Sequence, residues 1–177
     1  RPPPARRAAA LAGLVAAGVP ASATAEGSFE PSGALRAASG LASAILGPIY
    51  AVEAPLQAGG YDRAAVRARI EREVRASPVV VYSYTLSPFC AEAKELLASL
   101  GARYEVVELA PEWLPGMLPP EGAAVRAELG AMTGQTSMPH VFIGGESVGG
   151  LFTGTPGLVP LLEAGRLRER LAAAGAL

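Results

Sequence analysis

The six-residue run Val79-Val80-Val81-Tyr82-Ser83-Tyr84, with the Ser87-Pro88-Phe89-Cys90 motif just beyond it, constrains this chain more than any other feature. An apolar run of that length, bounded by turn signals, reads as a strand buried on both faces. Ser77-Pro78 ends the pattern before it. On the other side, Pro88 is placed where a helix tolerates proline, in its first turn. A buried strand delivering a short polar motif onto a helix start is the unit around which the rest must be arranged.

The remaining segments supply the layers for that strand. Asp62 is a candidate N-cap for a helix over Arg63 to Arg75, with Val66, Ile70 and Val74 on one face. Beyond the motif, Ala93, Leu96, Leu97 and Leu100 form a helical stripe that Gly101 ends. A second strand is expected over Tyr104 to Leu109. A proline-rich loop carrying Trp113, Leu114, Met117 and Leu118 comes next, then a helix from about Glu121 to Met132. His140 to Gly144 and Ser147 to Gly149 read as a hairpin about Gly144-Gly145. His140, at a strand start, is expected on the surface. One last helix is expected from near Pro156 through Leu161, Leu162, Leu167 and Leu171. This order defines an α/β sandwich with a central mixed sheet.

Composition removes several function classes. Half of the 177 residues are apolar, enough for one domain of about 100–150 residues plus an extension. The 15 basic and 16 acidic residues leave a net charge of −1, and no basic run is interleaved with aromatics, so nucleic-acid binding is not expected. A single cysteine excludes an intrachain disulfide, a CxxC couple or a multi-cysteine metal site, and a single histidine leaves no zinc constellation.

The chain divides into residues 1–23, 24–60 and 61–177. Arg6-Arg7, an apolar stretch from Ala8 to Val19 and Ala21-Ser22-Ala23 resemble a twin-arginine export signal, with cleavage expected before Thr24. The destination this implies is a plastid, in the thylakoid lumen or at the thylakoid surface. A bacterial periplasm and a plain disordered Ala/Arg-rich tail are the alternatives. Within 24–60, Ala37 to Val52 holds 16 uncharged residues, short of the roughly 20 a spanning helix needs, so no transmembrane span is expected. Ser39, Ser43 and Gly47 recur every fourth position and would let a helix approach a partner closely. Residues 37–52 therefore read as a docking segment for a protein partner, with a linker or a helix packed on the domain itself as the alternatives.

Three separated anchors identify residues 61–177 as similar to the glutaredoxins. Tyr82 to Leu97, with Ser87-Pro88-Phe89-Cys90, resembles the family's active-site stretch, in which Cys-Pro-Tyr/Phe-Cys opens a helix. Thr133-Gly134-Gln135-Thr136-Ser137-Met138-Pro139-His140-Val141-Phe142-Ile143 resembles the family's Thr-Gly-Gln-Arg-Thr-Val-Pro run, and Val148-Gly149-Gly150 its later Ile-Gly-Gly. The resemblance implies a thioredoxin-like sandwich with a four-stranded mixed sheet flanked by helices. It also implies a cis peptide before Pro139, a backbone edge at Met138 that pairs with glutathione, and glutathione contacts at Tyr84, Gln135, Gly149 and Gly150. The alternatives are a solvated loop for Gln135 and a tight turn for the glycines.

The resemblance breaks where the chemistry should be. Ser87 replaces the nucleophilic cysteine, and a serine hydroxyl neither ionises near neutrality nor forms a mixed disulfide. Cys90 occupies the resolving position and also reads as a small buried hydrophobe. Tyr84 and Thr136 stand where relatives carry cations, and Leu151-Phe152-Thr153-Gly154 stands in the place of a common acidic pair. Each lost charge-assisted bond is worth roughly 1.5–3 kcal/mol, so the pocket is expected to be neutral, apolar and a weak glutathione site. These substitutions imply a non-catalytic binding or structural module, and the targeting-like start with the apolar run of residues 37–52 makes the expected partner a thylakoid complex, of the photosynthetic kind. Glutathione-dependent chemistry at Ser87 or Cys90, including a Ser-type transferase-like activity, is the alternative.

Overall fold

The computed structural model describes residues 29–112, 114 and 117–177, with the side chains of 42–44 excepted. The signal-like segment 1–23, Trp113 and the side chain of Ser43 lie outside the described residues.

The strand Val79–Tyr84 (β1) is buried at all six positions and lies second in a four-stranded sheet. It pairs in parallel with Glu105–Ala110 (β2) and antiparallel with His140–Ile143 (β3), which pairs antiparallel with Glu146–Gly149 (β4). The spatial order is β2-β1-β3-β4, so the sheet is mixed, as the sequence implied. Alternation along β1 feeds two cores. Val79 and Val81 pack with Leu96 and Leu97 of the helix Pro88–Ser99 (α3) and with Leu158, Leu167 and Leu171 near the C-terminus. Val80, Tyr82 and Tyr84 pack with Ile70 and Val74 of the helix Arg63–Ala76 (α2) and with Val125 and Leu129 of the helix Pro120–Thr133 (α4). The period-two alternation of a strand thus becomes the division between the two helix layers.

Local capping agrees closely with the sequence. Asp62 accepts from the Ala65 N–H at 3.0 Å and starts α2. Gly101, at φ 73°, ends the α3 turn in a conformation that disfavours side-chain-bearing residues. The expected single C-terminal helix is instead two, Leu158–Glu163 (α5) and Leu167–Ala173 (α6), because Gly165 sits between them at φ 68°. His140 is not on the surface. It is fully buried, its ring lies 5.1 Å from that of Phe142 in a stacked arrangement, and Nε2 meets Ser147 Oγ at 2.8 Å. Burial pushes its imidazole down to about 4, with the Gln135 backbone acting in the opposite sense. The strand start is covered because β3 is an interior strand of the sheet.

The extension takes one of the alternatives, a helix packed on the domain itself. Gly33–Ala58 is a helix (α1), capped by Ser32, whose hydroxyl accepts from the Leu35 N–H. Its beginning is tied to α3 and α5, through the Ser32 N–H donating to Glu92 and through the Arg36–Glu163 ion pair. Its end is tied to α4, where Arg126 of α4 meets Glu53 at 2.8 Å and Gln57 at 3.1 Å. Residue 60 is therefore not where packing against the sandwich begins. The arms Gly33–Leu41 and Ile45–Ala58 lie at 67° to each other. Pro48 explains the break, since it cannot donate to residue 44 and its ring crowds that carbonyl. Among the described residues no single helix is long and apolar enough to cross a membrane, although the two arms together pass by length and composition.

Candidate functional site

Ser87 occupies the N-cap position of α3, and Pro88 its first helical position. The Ser87 N–H donates to the Tyr84 carbonyl at 3.2 Å, closing a tight turn directly off β1. Its hydroxyl makes no capping bond to the helix. One turn on, Cys90 is fully buried and faces back to β1, its Sγ accepting from the Tyr84 N–H at 3.4 Å. Burial pushes the Cys90 thiol up, against the opposing pull of the Tyr84 N–H, the Ser87 and Ser83 hydroxyls and Lys94. The one sulfhydryl of the chain is thus both inaccessible and held protonated, the reverse of a redox nucleophile.

A cavity of about 460 Å³ opens beside Ser87. Tyr84, Ser87, Gln135, Met138, Pro139 and Gly150 all line it, so the structure gathers most residues that the sequence singled out. Cys90 and Gly149 are not in its wall. The Met138-Pro139 peptide is cis, as the resemblance implied, and Thr155-Pro156 is a second cis bond. Gln135 is not a solvated loop residue. Its Nε2 donates to the Ser137 carbonyl at 3.0 Å and the Pro139 carbonyl at 3.2 Å, bracing the loop. Gly149, at φ 91°, is needed for close packing: a Cβ there would stand 2.5 Å from Gly154 Cα and 2.7 Å from the Thr153 carbonyl. The Leu151-to-Gly154 segment folds back on that glycine, and the Gly150 N–H donates to the Thr153 carbonyl at 2.7 Å.

The cavity holds charged groups that the sequence reading did not place there, one cation and one anion. Arg126 and Glu112 both line it, and Arg126 is only 1% exposed. Its Nε donates to the Thr136 carbonyl at 3.0 Å, its guanidinium lies 5.3 Å from the Tyr50 ring centre, and Nη1 meets Glu53 and Gln57. Tyr84 Oη, of a residue that lines the cavity, and Oε1 of Glu53, which does not line it, are buried without a hydrogen-bond partner among the described residues. Burial pushes the Tyr84 phenol up; Arg126 opposes that shift, and Glu112 and Glu53 add to it. Sequence reasoning missed Arg126, Glu53 and Tyr50. The available signal was a charge in the apolar stretch Ala123-Ala124-Val125-Arg126-Ala127 of an amphipathic helix, together with the first charge after the apolar run of α1.

A mixed β2-β1-β3-β4 sheet, with a strand-to-helix turn and a facing cis-proline loop, is the thioredoxin-like arrangement of thiol-redox proteins. The glutaredoxin family model matches residues 79–148. A glutaredoxin of Ricinus communis is 43% identical over 98 residues, covering 52% of this chain and 89% of its own length. Glutaredoxin-C4, chloroplastic, of Oryza sativa is 46% identical over 77 residues, covering 44% of this chain and 53% of its own length. The crystal structure of a buckwheat glutaredoxin–glutathione complex superposes with a TM-score of 0.56 at 32% identity, covering 65% of this chain and 94% of that one. The chain belongs to the glutaredoxin family.

Proposed function

We propose that this chain is a non-catalytic glutaredoxin-like binding module. The observation that carries the reading is that its only sulfhydryl, Cys90, is fully buried while a serine stands at the outer end of the motif. Thiol–disulfide exchange requires an accessible thiolate, and none is available. Glutathione, the ligand of the buckwheat relative, is a weak ligand at most, held along Met138-Pro139. A hydroxyethyl-disulfide reduction assay with glutathione tests this reading, and no turnover above the uncatalysed rate is expected. Turnover that disappears in Cys90→Ala overturns it. The second reading, a Ser-type use of glutathione, is favoured by the Ser87 hydroxyl, which makes no helix-capping bond. Loss of glutathione binding in Ser87→Ala would favour it.

The partner we propose is a protein complex at the thylakoid membrane, reached through the outer face of α1. Leu41, Ile45, Ile49, Val52 and Leu56 form a stripe there, each between 52% and 76% exposed. Contiguous exposed apolar surface of this kind is the mark of an interaction face. The chloroplastic assignment of the rice relative supports a plastid setting. Fractionated thylakoids should retain the protein; recovery only as a free stromal or lumenal species refutes the proposal.

A further inference from the structure

We propose that the cavity beside Ser87 is a binding site for a small neutral molecule, largely apolar and bearing one hydrogen-bond acceptor, which Tyr84 Oη meets. The inference rests on the reading of this chain as a binding module and names what the module takes. Four residues of α1, Ser39, Gly47, Tyr50 and Ala51, form one side of the cavity. α1 lies outside the residues 79–148 that match the family model, so this side is supplied by the extension. The helix is fixed at its start by the Ser32–Glu92 bond and the Arg36–Glu163 pair, and near its end by Arg126. The volume it helps to bound, about 460 Å³, falls within the roughly 300–1,000 Å³ of small-molecule sites.

The wall decides the class of ligand. Phe89, Met138, Pro139, Leu151 and Phe152 make the other sides largely apolar. Several polar groups of the wall are already engaged. Gln135 Nε2 donates to two carbonyls, Arg126 holds Glu53, Gln57 and the Thr136 carbonyl, and the Ser87 hydroxyl acts on the Cys90 thiol. Tyr84 Oη is not: the residue is 3% exposed, and the hydroxyl has no hydrogen-bond partner among the described residues. Arg126 and Glu112, both in the cavity wall, act on its phenol, so the hydroxyl end of the ring lies on the cavity side. Buried hydroxyls are rarely left unpaired, and a ligand acceptor in the cavity would complete this one. Charge sets the other limit. One fixed charge of each sign stands in the wall, so neither an anion nor a cation is favoured, and a charged ligand would lose its hydration against apolar sides. A ring compound with a single carbonyl meets both conditions.

The test titrates the full chain with acetophenone and with ethylbenzene, neutral probes of nearly the same shape that differ in one carbonyl. Binding is read by NMR from the methyl signal of Met138, in the cavity wall. Both probes should shift and saturate that signal. In Tyr84→Phe the affinity for acetophenone should fall roughly fivefold, the ratio carried by one neutral hydrogen bond, while that for ethylbenzene holds. Gly47→Leu should weaken both probes roughly tenfold or more. Gly47 lines the cavity from α1, and a Cβ there meets nothing within 4 Å, so a larger side chain is accepted and takes up the space. Equal behaviour of the two probes in Tyr84→Phe overturns the proposal, as does a Met138 signal that neither probe shifts. Unchanged binding in Gly47→Leu overturns it too, since the probes would then sit elsewhere on the chain. Tyr84→Phe decides the matter if Gly47→Leu fails to fold. Turnover in the disulfide assay would refute the non-catalytic reading without touching this one, since binding alone is read here.

Discussion

Lowering the pH from 7 to 4 should remove about 3 kcal/mol of stability through His140 alone. The ring is fully buried, stacked on Phe142 and hydrogen-bonded to Ser147, and its native value is pushed from 6.5 down to about 4. In the unfolded chain the imidazole takes up a proton near the ordinary value, whereas the folded chain refuses one until about 4. Between those limits the unfolded state binds more protons, so stability falls as the pH falls. The gap between 6.5 and about 4 converts to about 3 kcal/mol. Other groups titrate in the same range, so the assay is a difference: urea unfolding of the native chain and of His140→Leu, measured from pH 7 to 4. Both chains lose stability, but the native chain should lose about 3 kcal/mol more. Because this is the only histidine, its ring proton signal can be tracked by NMR without assignment work. Stability curves parallel to within about 0.5 kcal/mol, or a ring that titrates near 6.5, would refute the argument.

Three other outcomes are expected. The thiol of Cys90 should react with Ellman's reagent only on unfolding, whereas Ser87→Cys should add a thiol at the α3 N-terminus that reacts in the folded chain and titrates below about 8.5; equal reactivity at the two positions would contradict the burial of Cys90. Gly149→Ala should cost about 3 kcal/mol in chemical denaturation, from the Cβ contact with Gly154 and the φ of 91°, and a neutral substitution would mean the Leu151-to-Gly154 segment simply moves aside. Glu128→Ala should cost about 2 kcal/mol at pH 7: burial opposes the charge, but Arg63, Arg67 and Tyr61 hold the carboxyl below its ordinary range. That contribution is complete above the unfolded value of 4.5 and is lost as the pH falls through the lowered native one, so the native and variant curves should converge in acid.

The alternation of β1, the Asp62 cap, Pro88 in the first helical turn, Gly101 at a left-handed position and the Gly144-Gly145 hairpin were all legible in the chain. Each depends on neighbours within a few residues, and there backbone sterics and local hydrogen bonds decide the outcome. The burial of Cys90 was also expected, from the resolving position it holds in the family resemblance three residues after Ser87 and from the habit of a lone cysteine to pack as a small hydrophobe, and its Sγ does face back to β1. The sequence by itself therefore determined the sandwich, the strand-to-helix turn and the loss of an accessible thiol. Tertiary structure alone decided the rest. Arg126 and Glu53 are 73 residues apart, and Glu128 lies 61 and 65 residues from Arg67 and Arg63, so no periodicity announces these pairs. Whether β3 is an edge or an interior strand settles His140, and that too is a matter of sheet order. An apolar run such as Ala37 to Val52 can cover its own domain or remain outside it. Packing chose both, turning Glu53 inward to a buried arginine and leaving Leu41, Ile45 and Ile49 in solvent, because burying a charge requires a partner and exposing a leucine does not.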